Sequence, residues 1–295
     1  LKGGHPMKGF GPRRYLFILP AILFTILFAI YPLIYNVILS FKDVTAITLV
    51  QKTSQFIGLA NYREIFRDPI FKRTSFNTLI FTTLSILFQF TIGFLIALLF
   101  NKNFPLRDIM ISLVMLPWFI PILVSGTVFK LFFMDMGLIN RLLLSFRLIS
   151  KVIPWITDGN IAIYSLIIAN IWLGIPFNFI MLYTGLKGIS EELYEASEID
   201  GAVGIKKTFY ITIPLLKPVI ISTLLLGAIF TIKVFDLVWI ITGGGPGNAS
   251  HLFSTYSYQL AFGNYNFGLG SAVSVIMILI IISVTVILNL IRIEE

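Results

Sequence analysis

The chain has 295 residues, of which 57% are hydrophobic and only 12% charged, with no cysteine and a net charge of +8. Soluble domains carry about twice that share of charge, so this apolar excess cannot be hidden in a water-soluble core and the chain belongs in a membrane. Disulfides and thiolate metal sites are excluded, the two histidines (His5 and His251) lack ligand-like spacing, and the basic residues read as loop anchors that set topology rather than as a nucleic-acid surface.

Six apolar runs are long enough to cross a bilayer, which takes about 20 residues per helix. They cover about 15–41, 75–101, 109–133, 160–186, 218–241 and 267–291. All are long and continuous, whereas a β-barrel would show short alternating strands. The expected fold class is therefore an all-α membrane protein with six transmembrane helices. The organisation predicted is a cytoplasmic tail over 1–14 and one transmembrane domain over 15–295, with a polar loop at 188–217. The first run is too long, and too weakly followed by small residues, for a secretory signal peptide, and it reads as a retained helix.

The segment after the first run, about 42–74, holds Gly58 and Asn61, which suit a turn, and Tyr62 to Phe66, which suit an interfacial helix. Pro117 and Pro121 fall in the third run, Gly174 and Pro176 in the fourth. Broken backbone at membrane depth is tolerated where it is buried in protein or lines a wet cavity. Trp118 and Trp172 sit beside these breaks, deeper than the interfacial belt where tryptophans collect, and are read as pathway residues.

Between the fourth and fifth runs the chain turns polar: Glu191-Glu192-Leu193-Tyr194-Glu195-Ala196-Ser197-Glu198-Ile199-Asp200-Gly201-Ala202. Ser190 is a plausible N-cap, Glu191 and Glu192 suit the first turn of a helix, and Gly201 suits its C-terminal stop. Val203 to Ile213 can form another short helix, and Pro214 and Pro218 are expected to break the chain before the fifth span. Lys130, Lys233 and Asp236 lie within spans, where charges are costly and usually face a cavity or partner. Lys130 is near a helix end and can snorkel. Lys233 and Asp236 are three apart, so a pair on one helix face is expected; the sharper alternative has Lys233 facing a pathway and favouring an acidic sugar. Gly243 to Gly247 lacks the lysine and hydroxyl of a phosphate loop, so this chain is not expected to hydrolyse ATP, and the run reads as an external turn. Asn248-Ala249-Ser250 matches a glycosylation triplet by coincidence.

With the N-terminus inside, six spans return the C-terminus inside. Basic residues then number eleven on the cytoplasmic side against nine outside. The short loops are more telling: 102–107 and 187–217 together carry six, and 242–266 carries none. Both termini are expected in the cytoplasm.

The run Glu195-Ala196-Ser197, then Gly201-Ala202, Phe209 and Ile213-Pro214, resembles the "EAA" loop of permease subunits in ATP-binding-cassette importers. Asn170-Ile171-Trp172-Leu173-Gly174-Ile175-Pro176, Phe235-Asp236-Leu237-Val238, Gly244-Gly245-Pro246, Gly58 to Tyr62 and Leu116-Pro117-Trp118 are similar to maltose-type sugar permeases. The similarity runs over nearly the whole chain. Ser197 stands where a second alanine is usual and Ile213 where leucine is common, both mild changes. The resemblance implies a permease of the cytoplasmic (inner) membrane of a bacterium or archaeon, importing sugars or oligosaccharides. Its implied partners are a second permease, two ATPase subunits and an extracytoplasmic solute-binding protein. It implies no cofactor on this chain, with ATP and magnesium on the ATPases. It also implies an ATPase-coupling helix that uses Glu195, Ala196, Ser197, Asp200, Gly201 and Ala202. The implied substrate pathway includes Trp118, Asn170, Trp172, Gly174, Gly227 and Thr231, to which the charge argument adds Lys233. Gly227 and Val234 stand where asparagine or serine is common in the family.

Three rivals are weighed. An ion-coupled secondary transporter needs midplane acids, often in repeated halves; Asp236 alone qualifies. A membrane enzyme needs clustered nucleophiles, carboxylates or ligands, which the spans lack. A permease of the same kind for another polar solute is disfavoured only by the resemblance.

Overall fold

A computed structural model describes residues 13–199 and 202–293. Helices dominate: α1 (Arg13–Thr25) runs through a π turn into α2 (Tyr31–Ser40), followed by short α3 (Ala46–Gln51) and α4 (Ala60–Arg67). Next come α5 (Pro69–Phe100), α6 (Arg107–Phe119), α7 (Ile122–Phe133), α8 (Leu138–Ser145) and α9 (Ala162–Lys187). The second half holds α10 (Glu191–Ile199), α11 (Ile205–Lys207), α12 (Ile213–Ile232), α13 (Asp236–Ile241), α14 (Phe253–Tyr258) and α15 (Phe267–Ile293). Among the described residues, β pairing is limited to two isolated bridges, Lys42 with Phe56 and Thr45 with Asn266.

Five helical stretches are long and apolar enough to cross a bilayer, and a sixth results if α6 and α7 count as one span. The third predicted run is therefore not one straight helix. It bends by 93° between α6 and α7. Pro121 is the cause: its ring pushes the preceding residue out of the helical region, and Ile120 is extended, with ψ at 126°.

The fifth run differs from expectation in two ways. Pro214 and Pro218 do not break the chain, which is helical from Ile205 onward. Pro214 occupies the first turn of α12, where the missing N–H costs least, and a π turn at Thr208–Thr212 leads into it. The break comes instead at Lys233–Phe235, where α12 ends and α13 begins.

The packing centre is α5 against α9. Gly93 permits it: a Cβ there would lie 2.8 Å from Asn178 Cβ and 2.9 Å from the Phe179 backbone nitrogen. Three apolar clusters follow the bundle. Ala97, Phe179, Leu182 and Leu216 form the one nearest the polar loop. Phe81, Phe133, Leu166, Leu237 and Leu252 join α5, α7, α9 and α13. Ile65, Phe71, Phe253 and Val273 close the far end. Within lipid these clusters are held by close van der Waals packing rather than by removal from water.

Polar ties lock the connections at that far end. Asn61 Nδ2 donates to the carbonyls of Ser40 and Lys42, both at 2.9 Å. Tyr256 donates its hydroxyl to Asp68 Oδ2, and Asp68 Oδ1 caps the α5 amide of Ile70 at 2.8 Å. Asn140, fully buried, accepts from Ile153 N–H and Trp155 Nε1–H, each at 3.1 Å. These bonds give the apolar bundle a rigid rim.

The glycine-rich turn is fastened by His251. A Cβ on Gly244, whose φ is +85°, would fall 2.0 Å from the His251 ring. The ring is buried, with Nδ1 3.1 Å from Thr255 Oγ1 and Nε2 3.2 Å from Asn248 Oδ1. The Asn248 oxygen only accepts, so Nε2 carries the proton and Nδ1 accepts from the Thr255 hydroxyl. Burial lowers the His251 pKa from 6.5 to about 4. The folded ring thus stays neutral while the opened loop takes a proton below pH 6.5. The stabilisation is complete above pH 6.5 and is lost as pH falls from 6.5 towards 4. Hydrogen exchange should read this: after correction for intrinsic rates, opening of residues 244–255 rises roughly 25-fold between pH 7.5 and 5. In His251→Gln that pH dependence disappears; equal profiles in the two proteins would refute the assignment.

Candidate functional site

A cavity of about 510 Å³ opens where the bend of α6–α7, the middle of α9 and the end of α12 meet. That volume is in the range of small-molecule sites. Pro117, Trp118 and Pro121 line it from the bend, Asn170, Gly174 and Phe177 from α9, and Gly227, Phe230, Thr231 and Val234 from α12 and its break, with Gln89 from α5 at the back. The cavity exists because two helices are broken: a continuous helix through 119–122 would carry α7 across it.

One wall is aromatic. Trp118 meets Phe177 edge-on at 5.9 Å, and Phe177 meets Phe230 edge-on at 5.5 Å. Lys233 Nζ lies 5.1 Å from the Phe230 ring centre, a cation–π distance. Trp118 is 51% exposed.

The opposite wall is polar. Gln89, buried, donates its amide to the Asn170 carbonyl at 2.8 Å. Gly174 makes room for this: a Cβ would lie 2.2 Å from Gln89 Cδ. Asn178 in turn donates to the Gly174 carbonyl at 2.9 Å. Pro176 lies within the same helix and removes the amide that would serve the Trp172 carbonyl. Asn170 is 8% exposed and its Nδ2 has no hydrogen-bond partner. Among the described residues, it is the one buried side-chain group without a partner that lines the cavity. An unmet buried N–H costs roughly 1–3 kcal/mol.

Of the predicted pathway residues, the fold gathers Trp118, Asn170, Gly174, Gly227 and Thr231 around this cavity. Trp172 is not among its lining residues. It lies two positions from Asn170 and Gly174, more than half a turn around α9, and packs edge-on against Phe129 at 5.5 Å. Lys233 stands at the rim, exposed. The expected pair with Asp236 is not formed. The helix stops between Lys233 and Asp236, so the three-residue spacing no longer puts them on one face. Gln89, Phe177 and Phe230 were missed by sequence reasoning. A lone glutamine in an apolar run was a usable signal, because a buried amide needs a partner; the phenylalanines offered none among 28.

The second cluster lies on the polar loop. α10 exposes Glu191, Glu192, Leu193, Glu195, Ala196 and Ile199, while Ser197 is buried and donates to the Tyr194 carbonyl at 2.8 Å. Ala202 follows, its N–H bonded to the Ser197 carbonyl at 2.9 Å. Asp200 and Gly201, named in the sequence analysis, lie outside the described residues. Ser190 does not cap with its hydroxyl; its carbonyl accepts from Leu193 N–H at 3.2 Å. The helix is anchored through Tyr194, whose hydroxyl is 3.5 Å from Thr212 Oγ1 and whose ring lies 5.0 Å from Lys207 Nζ. Tyr194 thus ties α10 to the π turn that leads into α12, whose other end lines the cavity. Ile199, Ile205, Phe209 and Tyr210 are all exposed beside it, an apolar patch of the kind that marks a protein interface.

Residues 89–292 match the family model described as "Binding-protein-dependent transport system inner membrane component". The chain is 35% identical over 254 residues to the trehalose/maltose transport system permease protein MalF of Thermococcus litoralis, covering 85% of this chain and 83% of that protein. It is 34% identical over 245 residues to the sulfoquinovosyl glycerol transport system permease protein SmoG of Agrobacterium fabrum, covering 83% and 78%. Among solved structures, a bacterial ABC transporter involved in the import of the acidic polysaccharide alginate superposes with a TM-score of 0.83 over 96% of each chain, at 24% identity, which establishes the same fold.

Proposed function

The chain belongs to the family of binding-protein-dependent transport system inner membrane components, and from that premise we propose that it is a permease subunit of an ATP-driven importer of sugars or oligosaccharides. It forms half of the path, a second permease forms the other half, and two ATPase subunits grip α10 and the apolar patch beside it. Both termini and α10 face the cytoplasm, and the turn at 243–247 faces an external solute-binding protein. The chain itself catalyses nothing; ATP and magnesium reside on the ATPases. Asp200 and Gly201 complete the gripped segment with Glu195, Ala196, Ser197 and Ala202.

The observation that carries the reading is the cavity's division into an aromatic wall and one unpaired amide. The C–H face of a sugar stacks on Trp118 and Phe230, and a ring oxygen or hydroxyl accepts from Asn170 Nδ2. Gln89 holds the Asn170 backbone in place, and Thr231 supplies a hydroxyl on the α12 side. Relatives named for trehalose/maltose, lactose and diacetylchitobiose transport support the substrate class. In the cycle, closure of the ATPase dimer displaces α10, Tyr194 passes the displacement to α12, and the cavity changes the side to which it opens.

The test is uptake by the full complex in proteoliposomes. Accumulation of a labelled disaccharide should require ATP and survive collapse of proton and sodium gradients. Asn170→Leu, similar in size but without the donor, should lower uptake about tenfold, as for one lost hydrogen bond of roughly 1.4 kcal/mol. Uptake driven by an ion gradient without ATP would overturn the reading.

A further inference from the structure

We propose that the break in the fifth span carries an outer carbohydrate subsite, built on Phe235, Trp239 and Tyr258 with Lys233 beside it, which holds the trailing units of an oligosaccharide whose leading unit occupies the cavity; this rests on the sugar-permease reading above. The three rings form a closed cluster. Phe235 stacks on Trp239 at 5.6 Å, Tyr258 lies 5.0 Å from Phe235, and Trp239 meets Tyr258 edge-on at 4.8 Å. Phe262 extends the cluster, 5.0 Å from Tyr258. Tyr258 is 39% exposed and Phe262 58%. Neither the Trp239 N–H nor the Tyr258 O–H is engaged by another group among the described residues, so each polar edge is available to a ligand.

A belt of interfacial aromatics is the ordinary explanation for tryptophan and tyrosine on a span. The backbone argues otherwise. Trp239 and Tyr258 ride on α13 and α14, as belt residues do, but both close on Phe235, and Lys233, Val234 and Phe235 have left the helix, as backbone in a membrane does where it lines protein or a wet path. The break is held by a specific tie: Ser254 Oγ donates to the Val234 carbonyl at 2.5 Å. Val234 itself lines the cavity, and Lys233 reaches over Phe230, which lines it too. The backbone of Lys233–Phe235 thus links a cavity-lining residue, Val234, to the ring cluster. Their chemistry is that of a carbohydrate subsite: ring faces for C–H surfaces, with an ammonium, a carboxylate on Asp236 and two N–H or O–H donors for hydroxyls. Lys233 and Asp236 are exposed and form no ion pair with each other, so both are free to meet hydroxyls.

The experiment compares chain lengths. Complete complexes in ATP-loaded proteoliposomes receive maltose, maltopentaose, or the di- and pentasaccharides of alginate. The readout is the ratio of pentasaccharide to disaccharide uptake. Trp239→Ala should lower that ratio about tenfold, and Tyr258→Phe about threefold, magnitudes typical of one aromatic contact and one hydrogen bond. Trp239→Phe, which keeps a ring, should recover most of the ratio lost in Trp239→Ala. An unchanged ratio, or equal loss on both lengths in an assembled complex, overturns the subsite and leaves the sugar reading standing. Wild-type complexes that take up none of the four probes overturn both.

Discussion

Glu195→Lys stops ATP-driven uptake while the cavity still binds solute. Glu195 is exposed on α10, on a helix whose first turn already carries Glu191 and Glu192. Among the described residues no ion pair uses its carboxylate, and the neighbouring surface of Ile199, Phe209 and Tyr210 is apolar. An acid amid exposed apolar side chains suits a basic residue of a docked partner. Reversing its charge replaces attraction by repulsion in a desolvated contact, where losing a charge pair costs roughly 2–5 kcal/mol. Uptake should therefore fall roughly 30-fold or more, with the ATPase subunits lost on washing. Solute binding persists because α10 and the cavity occupy opposite ends of α12. The chain has no cysteine, so Glu192→Cys gives a clean label that should react from the cytosolic side only. Normal uptake by Glu195→Lys, or labelling of that cysteine from outside, would defeat the coupling assignment.

The same comparison explains what the sequence made legible. The spans were readable because lipid admits few backbone solutions: long apolar runs must be helices. The bend of α6–α7 was readable because proline leaves a local mark at Pro121. The break at Lys233–Phe235 leaves no such mark. It contains no proline or glycine, and its cause is tertiary, in the Ser254 bond to Val234 and the ring cluster around Phe235. Charge spacing therefore suggested a Lys233–Asp236 pair on a helix that does not continue between them. Trp172 failed for a related reason. Gly174 and Pro176 suggested a break beside it, but α9 runs unbroken through both, and helical phase turns Trp172 towards Phe129. Asn170, by contrast, was carried by its motif, and the fold adds what made it distinctive, an amide left without a partner.

Gly227→Leu abolishes uptake without unfolding the protein, and Gly174→Ala in the same cavity does the reverse in kind. A Cβ on Gly227 meets no atom within 4 Å, although the residue is buried on α12 and lines the cavity. On the proposed reading that open space is where solute passes, and a leucine there would fill it. Replacing a helix-interior glycine also gains roughly 0.8 kcal/mol of helix propensity, so the melting temperature should hold or rise while uptake of every probe is lost. Gly174 has no such room. Its Cβ would sit 2.4 Å from Gln89 Nε2, forcing that side chain off the Asn170 carbonyl. The variant should lose roughly 1–3 kcal/mol of stability from the stranded amide and carbonyl, with partial loss of uptake because Asn170 shifts. Thermal unfolding in detergent and transport in proteoliposomes, measured on both variants, separate the two effects. A Gly227→Leu protein that transports normally would mean that the solute travels elsewhere, and with it would go the roles given to Trp118, Asn170 and Phe230.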